Sequence, residues 1–438
     1  MSGSTVMTPT FRDHRRVAIA GGIGTMLEMY DFLLFGTAAA LIFDGLFFPT
    51  FDPSVGVLLA FATFGAGVLI RPIGGAFIAH FGDRLGRKRM LVLTLSVTGA
   101  ATVLIGLLPG YATIGVWAPI LLTVLRLVQG FFVGGEQPGA FVLVSEHVPD
   151  ERRGWYGGFV SLGAPAGLLL GTAAFTLSSV LTGDAFLSWG WRIPFLASVV
   201  LIGVALYIRL RLAESPAFVD VQRQSAEARI PIVEAFRTAW RRIVLGCLVG
   251  LGAAAGVYVV NTFAINYMTA SLGIARNLVL SALLVGTVFM IVGVLAGARL
   301  SDRIGRYRVI LAGNLLTILW VFPFFWLLET RSVPLSFVAM AVALGVQGVM
   351  YGPIAAYFSE LFDSARVRYS GVAVSYGLAT LLGGGLSPAI AGSLFAGSGG
   401  SWYPVAAYVI GVLIVSVVAL AVGGEPSRVS PVPSHAGS

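Results

Sequence analysis

Twelve apolar runs, each about 20 residues long, constrain the fold of this chain more than any other feature. The runs are continuous, whereas the strands of a membrane barrel alternate over about 10 residues. Lipid satisfies no backbone hydrogen bonds, so a continuous apolar run that crosses a membrane must be helical. Composition agrees, because 11% of the residues are charged against about 25% in soluble proteins. The sequence therefore predicts an all-α integral membrane protein with twelve transmembrane helices.

The predicted helices cover residues 17–43, 55–80, 90–109, 116–147, 155–182, 191–210, 243–270, 278–298, 309–328, 334–361, 368–395 and 402–422. The charged stretch between the sixth and the seventh helix is too polar to span a membrane. We therefore predict an N-terminal tail (1–16), a first six-helix bundle (17–210), a central loop (211–242), a second six-helix bundle (243–422) and a disordered C-terminal tail (423–438).

The distribution of basic residues predicts the orientation of the chain, because loops on the cytoplasmic side carry an excess of Lys and Arg. Of the 28 Lys and Arg residues, three (Arg192, Arg276 and Arg331) fall outside if the N-terminus is cytoplasmic. Two more (Arg71 and Arg126) lie within spans, which leaves 23 of the 28 on the inner side. We therefore expect a multi-pass protein of a bacterial inner membrane, surrounded by lipid, with both termini in the cytoplasm. The scattered charge indicates no nucleic-acid partner.

A repeated turn predicts that the two bundles arose by duplication. Asp83 and Asp302 are 219 residues apart (302 − 83), about half the chain, and each opens an Asp-Arg-x-Gly-Arg turn after the second helix of its bundle. Such carboxylates and arginines can fasten a helix end to its neighbour, and glycine permits a tight turn. We therefore predict a cytoplasmic gate at these turns, formed by Gly82, Asp83, Arg84, Gly86, Arg87, Asp302, Arg303, Gly305 and Arg306.

With these turns the chain resembles the major facilitator superfamily, and more narrowly its metabolite:proton symporter branch. The matching runs include Glu28-Met29-Tyr30-Asp31-Phe32, Arg71-Pro72, Gly134-Gly135-Glu136, Trp189-Gly190-Trp191-Arg192 and Glu214-Ser215-Pro216. Within that branch the sequence is most similar to carriers of shikimate-like carboxylates. It implies the major facilitator fold, two pseudo-symmetric six-helix bundles with a substrate site between them, and symport with protons.

Five charged residues lie well inside predicted spans, away from the helix ends, and all are in the first half: Glu28, Asp31, Arg71, Arg126 and Glu136. A charge at the bilayer centre costs at least ~2.5–3.5 kcal/mol, so each is a candidate for function. We predict that Glu28, Asp31, Arg126 and Glu136 couple transport to protons. Glu28 and Asp31 share a face of the first helix, and Arg126 of the fourth helix lies at the same depth, so we expect Arg126 to meet both carboxylates. A static ion pair that only fixes packing is the alternative.

The remaining candidates are polar residues that could contact a substrate. In the first half they are Tyr30, Arg71, Gln129 and Gln137, and in the second half Tyr258, Asn261, Gln347 and Tyr351. Residues of this kind also join membrane helices by hydrogen bonds, which is the alternative interpretation. No ligand spacing for a metal and no phosphate-binding loop is present, so we predict neither a metal nor a cofactor.

These features predict a secondary transporter and not an enzyme, since no nucleophile–base pair is apparent. Proton-coupled uptake of a small organic acid, such as a hydroxylated cyclic carboxylate, is the first hypothesis. A betaine- or proline-type zwitterion symporter is the second, followed by an exporter of drugs or metabolites and a sensor without transport. We expect the protein to function as a monomer by alternating access.

The predicted orientation can be checked by cysteine labelling in whole cells. With Cys247 replaced by Ser, single cysteines at Gly183 and Ser398 should react with an impermeant thiol reagent added outside, and one at Ser225 should not. Reaction at Ser225 in sealed cells would show that the predicted orientation is inverted.

Overall fold

The structure is a computed structural model that describes residues 11–223 and 230–425. The outer parts of both predicted tails, residues 1–10 and 426–438, lie outside the described residues. So does the middle of the predicted central loop, residues 224–229, which includes Ser225.

Twelve helical segments in the described residues are long and apolar enough to cross a membrane. We number them α1 to α12: Asp13–Leu41, Val55–Leu85, Arg87–Leu107, Trp117–His147, Asp150–Gly190, Arg192–Leu210, Pro231–Ser271, Arg276–Ile304, Arg306–Glu329, Val333–Glu360, Arg368–Gly397 and Tyr403–Gly423. Three short helices, Phe43–Phe47, Tyr111–Ile114 and Pro216–Arg223, lie in the connections. The predicted all-α, twelve-helix fold class is confirmed.

Several of these segments are interrupted near the middle. The α-helical pattern of α2 breaks at Ile70, that of α4 at Gly134 and Gly135, and that of α10 at Gly352 and Pro353. Proline has no backbone N–H to donate and glycine is a poor helix former, so these positions favour a break. Since α4 and α10 break at corresponding places, the interruption is part of the repeat.

Helices α7 and α11 contain π-helical turns, over Val259–Ala264 and Tyr267–Ser271 in α7 and over Thr380–Gly385 in α11. A π-turn adds a residue to a helical turn and is frequent at functional sites. All three turns lie in the second bundle, and a further π-helical turn, Phe186–Gly190, ends α5 in the first bundle.

The packing of the two halves follows the sequence repeat. In the first half α1 packs on α5, α2 on α4, and α3 on α6; in the second half α7 packs on α11, α8 on α10, and α9 on α12. Between the halves, α2 packs on α11 and α8 packs on α5, which are equivalent pairs. The architecture is therefore two six-helix bundles related by pseudo-symmetry.

In the described residues, the buried core that both halves share lies at one side of the bundle. We call the side where α1 begins and α12 ends the terminal side, and the other the opposite side. One core of buried residues at the terminal side contains members of both halves, such as Val17, Tyr156, Tyr357 and Tyr369. The buried residues of the cores at the opposite side come from a single half each. The structure is therefore closed at the terminal side.

Candidate functional site

The terminal side is closed by Asp83, a fully buried carboxylate at the end of α2. It accepts hydrogen bonds from the first turn of α11 in the other half: from the backbone N–H of Tyr369 (3.3 Å), the N–H of Ser370 (2.9 Å) and the Ser370 hydroxyl (2.7 Å). The first N–H groups of a helix have no partner within it and favour a negative charge. Asp83 therefore caps a helix of the opposite bundle.

Asp302 makes the equivalent contact at the end of α8. Its carboxylate accepts hydrogen bonds from the backbone N–H groups of Gly154 and Trp155, both at 2.8 Å, where the α-helical part of α5 begins. Each Asp-Arg-x-Gly-Arg turn thus holds the start of a helix in the other half. We call these two contacts the latches.

The final arginine of each turn supports its latch. Arg87 lies 3.2 Å from Asp83 and 3.2 Å from Glu146 of α4, and Glu146 also pairs with Arg368 of α11 at 2.8 Å. The first latch is therefore a network of two acids and two arginines that spans both halves.

The second latch has the same core. Arg306 lies 3.2 Å from both Asp302 and Glu360, and it donates to the backbone carbonyl of Asp150 at 2.7 Å. This contact again reaches from the second half to the first.

The geometry of the two turns requires glycine at particular positions. Gly86 and Gly305 have φ angles of 111° and 102°, which residues with a side chain rarely adopt. A Cβ at Gly82 would collide with the ring of Tyr369. Arg84 and Arg303, by contrast, are exposed and lie outside the latches. Their assignment to the gate stays a prediction.

The predicted contact between Arg126 and Glu28 is wrong. Glu28 pairs with Arg71 of α2 at 3.0 Å. The Arg126 guanidinium lies over the rings of Phe35 and Phe64, at 4.4 and 4.9 Å from their centroids. Its Nε and Nη2 atoms have no hydrogen-bond partner in the described part of the chain. Aromatic faces stabilise a desolvated cation, which the charge spacing alone did not indicate.

Arg126 reaches Asp31 through an intermediate side chain. It donates to Gln129 at 2.5 Å, and Gln129 donates to Thr102 of α3 at 2.8 Å and, more weakly, to Asp31 at 3.5 Å. The Thr102 hydroxyl donates to the Asp31 carboxylate at 2.7 Å. Asp31 keeps one oxygen, Oδ1, without a partner among the described residues. The structure therefore brings Asp31, Gln129 and Arg126 into one network.

Glu136 has a partner that the sequence analysis missed. Arg209, near the end of α6, forms a bidentate contact with Glu136 and also donates to the Leu91 carbonyl at 2.7 Å. The Thr94 hydroxyl donates to Glu136 at 2.6 Å. Arg209 is 2% exposed, although we had counted it among the basic residues at the inner helix ends. Its position in the last turn of a span gave no sign of burial.

A neutral hydrogen-bond triangle joins the two halves between these charges and the latches. Gln137 of α4 donates to the Tyr351 hydroxyl (2.6 Å) and accepts from the Tyr376 hydroxyl (2.8 Å), and the two tyrosine oxygens are 3.0 Å apart. Gln137 and Tyr351 were predicted substrate contacts, and Tyr376 of α11 was missed. The triangle closes the space between the halves on the terminal side of the Glu28–Arg71 pair.

The other predicted contacts are placed less centrally. Tyr258 packs against Gly384 and is within electrostatic reach of Arg71 and Glu28 across the interface. Tyr30 is buried and donates to the Pro194 carbonyl at 2.7 Å, so it fastens α1 to α6, and its assignment as a substrate contact stays a prediction.

Gln347 and Asn261 take no part in the contacts described above. Gln347 lines a cavity of about 30 Å³ within the second half, and its Oε1 has no partner in the described segments. Asn261, on the first π-turn of α7, is half-buried, and the described residues offer it no hydrogen bond. Neither residue meets the charged cluster of the first half.

Comparison with known proteins places this arrangement in context. The family model of the Major Facilitator Superfamily matches residues 21–377 and 247–437. The chain is 44% identical over 419 residues to the shikimate transporter of Escherichia coli (strain K12), covering 93% of this chain and 94% of that protein. It is 34% identical over 426 residues to the proline/betaine transporter of the same organism, covering 93% and 82%.

A solved structure shares the fold. The proton:xylose symporter bound to 6-bromo-6-deoxy-D-glucose superposes with a TM-score of 0.77, covering 95% of this chain and 98% of the other, at 14% identity.

The latches generate a prediction about the balance between closed and open forms. Asp83→Asn removes the charge that caps α11, and hydrogen bonds to charged groups contribute about 1.5–3 kcal/mol each. Spin labels at Arg84 and Arg303, which are exposed on opposite halves, should then show a new population at longer distance. The measurement is double electron–electron resonance on protein with Cys247→Ser.

The matched control is Asp220→Asn, at an exposed acid near the same side of the bundle, which should leave the distances unchanged. Identical distance distributions for Asp83→Asn and the unaltered chain would show that Asp83 does not hold the terminal side closed.

Proposed function

The chain belongs to the major facilitator superfamily and is a membrane transporter of that family, and we propose that it takes up a small organic acid together with protons. Relatives at 44% and 34% identity are carriers of shikimate and of proline or betaine. All of these solutes carry a carboxylate. The proposal therefore begins from the group in this chain that can bind one.

That group is Arg71, and its geometry is the observation that carries the proposal. Arg71 is an intramembrane arginine, and 17% of its side chain is exposed. One of its N–H groups donates a hydrogen bond to Glu28. A guanidinium has five donors in a planar fork and binds carboxylates bidentately. Arg71 thus keeps donors without a partner among the described residues, which can bind a second carboxylate, and Tyr258 of the other half is within electrostatic reach of it.

Competition for Arg71 links substrate to proton. A substrate carboxylate that takes the guanidinium leaves Glu28 buried without its cation, and a buried carboxylate without a partner is more stable when protonated. Binding of the acid thus favours uptake of a proton at Glu28. Release of the substrate returns Arg71 to Glu28 and expels the proton. Asp31, with its unpartnered oxygen, is the second carboxylate that takes part.

Alternating access completes the proposed cycle. We propose that the terminal side is the cytoplasmic side and that residues 17–210 and 243–422 move as two bodies. The described form, closed at that side by both latches, then receives substrate from outside. Breaking the latches and the Gln137–Tyr351–Tyr376 triangle opens the route to the cytoplasm. One chain contains both halves and the whole site, so a monomer suffices.

The Glu28–Arg71 pair also favours a second class of substrate. A zwitterion such as a betaine presents a carboxylate to Arg71 and a cation to Glu28, and the aromatic faces nearby, such as Phe32 under Arg71 at 5.4 Å, suit a quaternary ammonium. Such a substrate would keep Glu28 charged. It would therefore be carried with less dependence on protons than a simple acid.

These alternatives are separated by uptake into proteoliposomes with and without an imposed pH gradient. The panel is shikimate, a benzoate, glycine betaine and proline. We expect the hydroxylated cyclic acid to accumulate only with the gradient. Accumulation of betaine alone, independent of the gradient, would favour the second class.

Variants of the pair test the proposed coupling. Arg71→Ala should raise the substrate KM about 10- to 100-fold, the equivalent of charged hydrogen bonds of about 1.5–3 kcal/mol. Arg71→Lys should recover only part, because an ammonium lacks the planar fork. Glu28→Gln should abolish accumulation driven by the gradient while substrate counterflow, which needs no net proton movement, continues.

Arg276→Ala, at an exposed arginine that begins α8, is the matched control and should leave KM unchanged. An unchanged KM in Arg71→Ala, or full accumulation in Glu28→Gln, would remove the pair from the mechanism.

A further inference from the structure

A small cavity inside the first half brings together three carboxylates. Its volume is about 10 Å³, and it lies between α1, α3, α4 and α6. Glu28, Asp31 and Glu136, each less than 10% exposed, all line it. All of the residues that line the cavity belong to the first half.

The carboxylates stand at successive levels along α1. Gly24, Glu28 and Asp31 are spaced i, i+4 and i+7 and therefore share one face of the helix. A Cβ at Gly24 would collide with both Glu136 and Arg209, so Gly24 marks the level of that ion pair. At 1.5 Å per residue, Glu28 lies about 6 Å and Asp31 about 10 Å farther from the terminal side. The three acids thus form a descending series.

Helix α3 carries a parallel series of hydroxyls. Thr94, Thr98 and Thr102 are spaced i, i+4 and i+8, so they too share a face. Thr102 donates to Asp31 at the upper level and Thr94 donates to Glu136 at the lower level, at 2.7 and 2.6 Å. Thr98 lines the cavity between them. The hydroxyls therefore follow the same path as the acids.

The cavity has the size and the polar groups that one water molecule requires. A buried water needs at least about 10–15 Å³ and two to four polar partners. Glu28 Oε2 and Asp31 Oδ1 are buried acceptors without a partner among the described residues, and the Thr98 hydroxyl oxygen can accept as well. A water held by these groups would connect the two levels.

From this geometry we infer that protons leave the transporter through the interior of the first half, from Glu28 to Glu136 by way of one water beside Thr98. The route rests on the proposed proton coupling. It is distinct from the substrate's route, which lies between the two halves. Arg209 acts as a positioning residue, because it orients the carboxylate that receives the proton.

Each proton transfer conserves atoms and charge. A protonated Glu28 gives its proton to the water oxygen, and the water gives one of its own protons to Glu136. The donor becomes a carboxylate, Glu136 becomes neutral and the water is restored. Glu136 then releases the proton near the last turn of α6, where the exposed Leu210 and Arg211 follow Arg209, and its ion pair with Arg209 forms again.

The test compares net symport with counterflow in proteoliposomes. Thr98→Val keeps the shape of the side chain but removes the hydroxyl. It should slow uptake driven by a pH gradient, and the matching proton flux reported by internal pyranine, by about 10-fold or more. Counterflow should continue at the rate of the unaltered protein. Thr172→Val in α5 loses the same kind of hydroxyl–backbone bond and should change neither rate.

A second variant tests the receiving carboxylate. Glu136→Gln with Arg209→Met removes both charges together, so no lone charge is left buried, and it should lose gradient-driven accumulation while counterflow persists. Unchanged symport in Thr98→Val, or an equal loss of symport and counterflow in both variants, would overturn the route. If the unaltered protein accumulated substrate to the same level without the pH gradient, the proposed function itself would be refuted.

Discussion

A charge inside a membrane must find its partner within the protein, and this constraint organises the first half of the molecule. Arg71 has Glu28, Arg209 has Glu136, and Arg126 has two phenylalanine rings and an amide. Each of these cations contacts a group on another helix, so the charges help to determine which helices pack together. Because removal of one partner leaves an uncompensated buried charge, any movement that separates such a pair is linked to gain or loss of a proton or of a charged solute.

The same chemistry serves a mechanical purpose at the terminal side. There Asp83 and Asp302 accept hydrogen bonds from helix N-termini of the other bundle, and Glu146 pairs with Arg368 of the other bundle, so these groups hold the halves together. The two latches are formed by equivalent residues of the two halves, as the duplicated sequence predicts. They are not equal, however: the Asp83 side chain has no exposure, whereas that of Asp302 keeps 12%. Water reaches the second latch more easily, so the two contacts have different strengths.

Much of this architecture was predictable from the sequence because lipid permits few alternatives. Span length predicted twelve helices, and the repeated turns at Asp83 and Asp302 predicted their grouping. Pairing of individual charges was not predictable in the same way. Depth along a helix placed Arg126 beside Glu28, but the rotation of α2 presents Arg71 instead. Burial of Arg209 depends on a glycine in α1, and the threonine series of α3 shows i, i+4, i+8 spacing that could have been noticed.

The charges that lie well inside spans belong to the first half, whereas the described interior of the second half contributes neutral tyrosines to the interface. In the proposed function, proton coupling and the binding of a carboxylate therefore both depend on the first half. A residue such as Tyr258 can change without disturbing an ion pair, so the second half's part of the site can vary while the charged pairs are retained. A duplicated protein of this kind can therefore change the solute that it carries and keep its charged pairs.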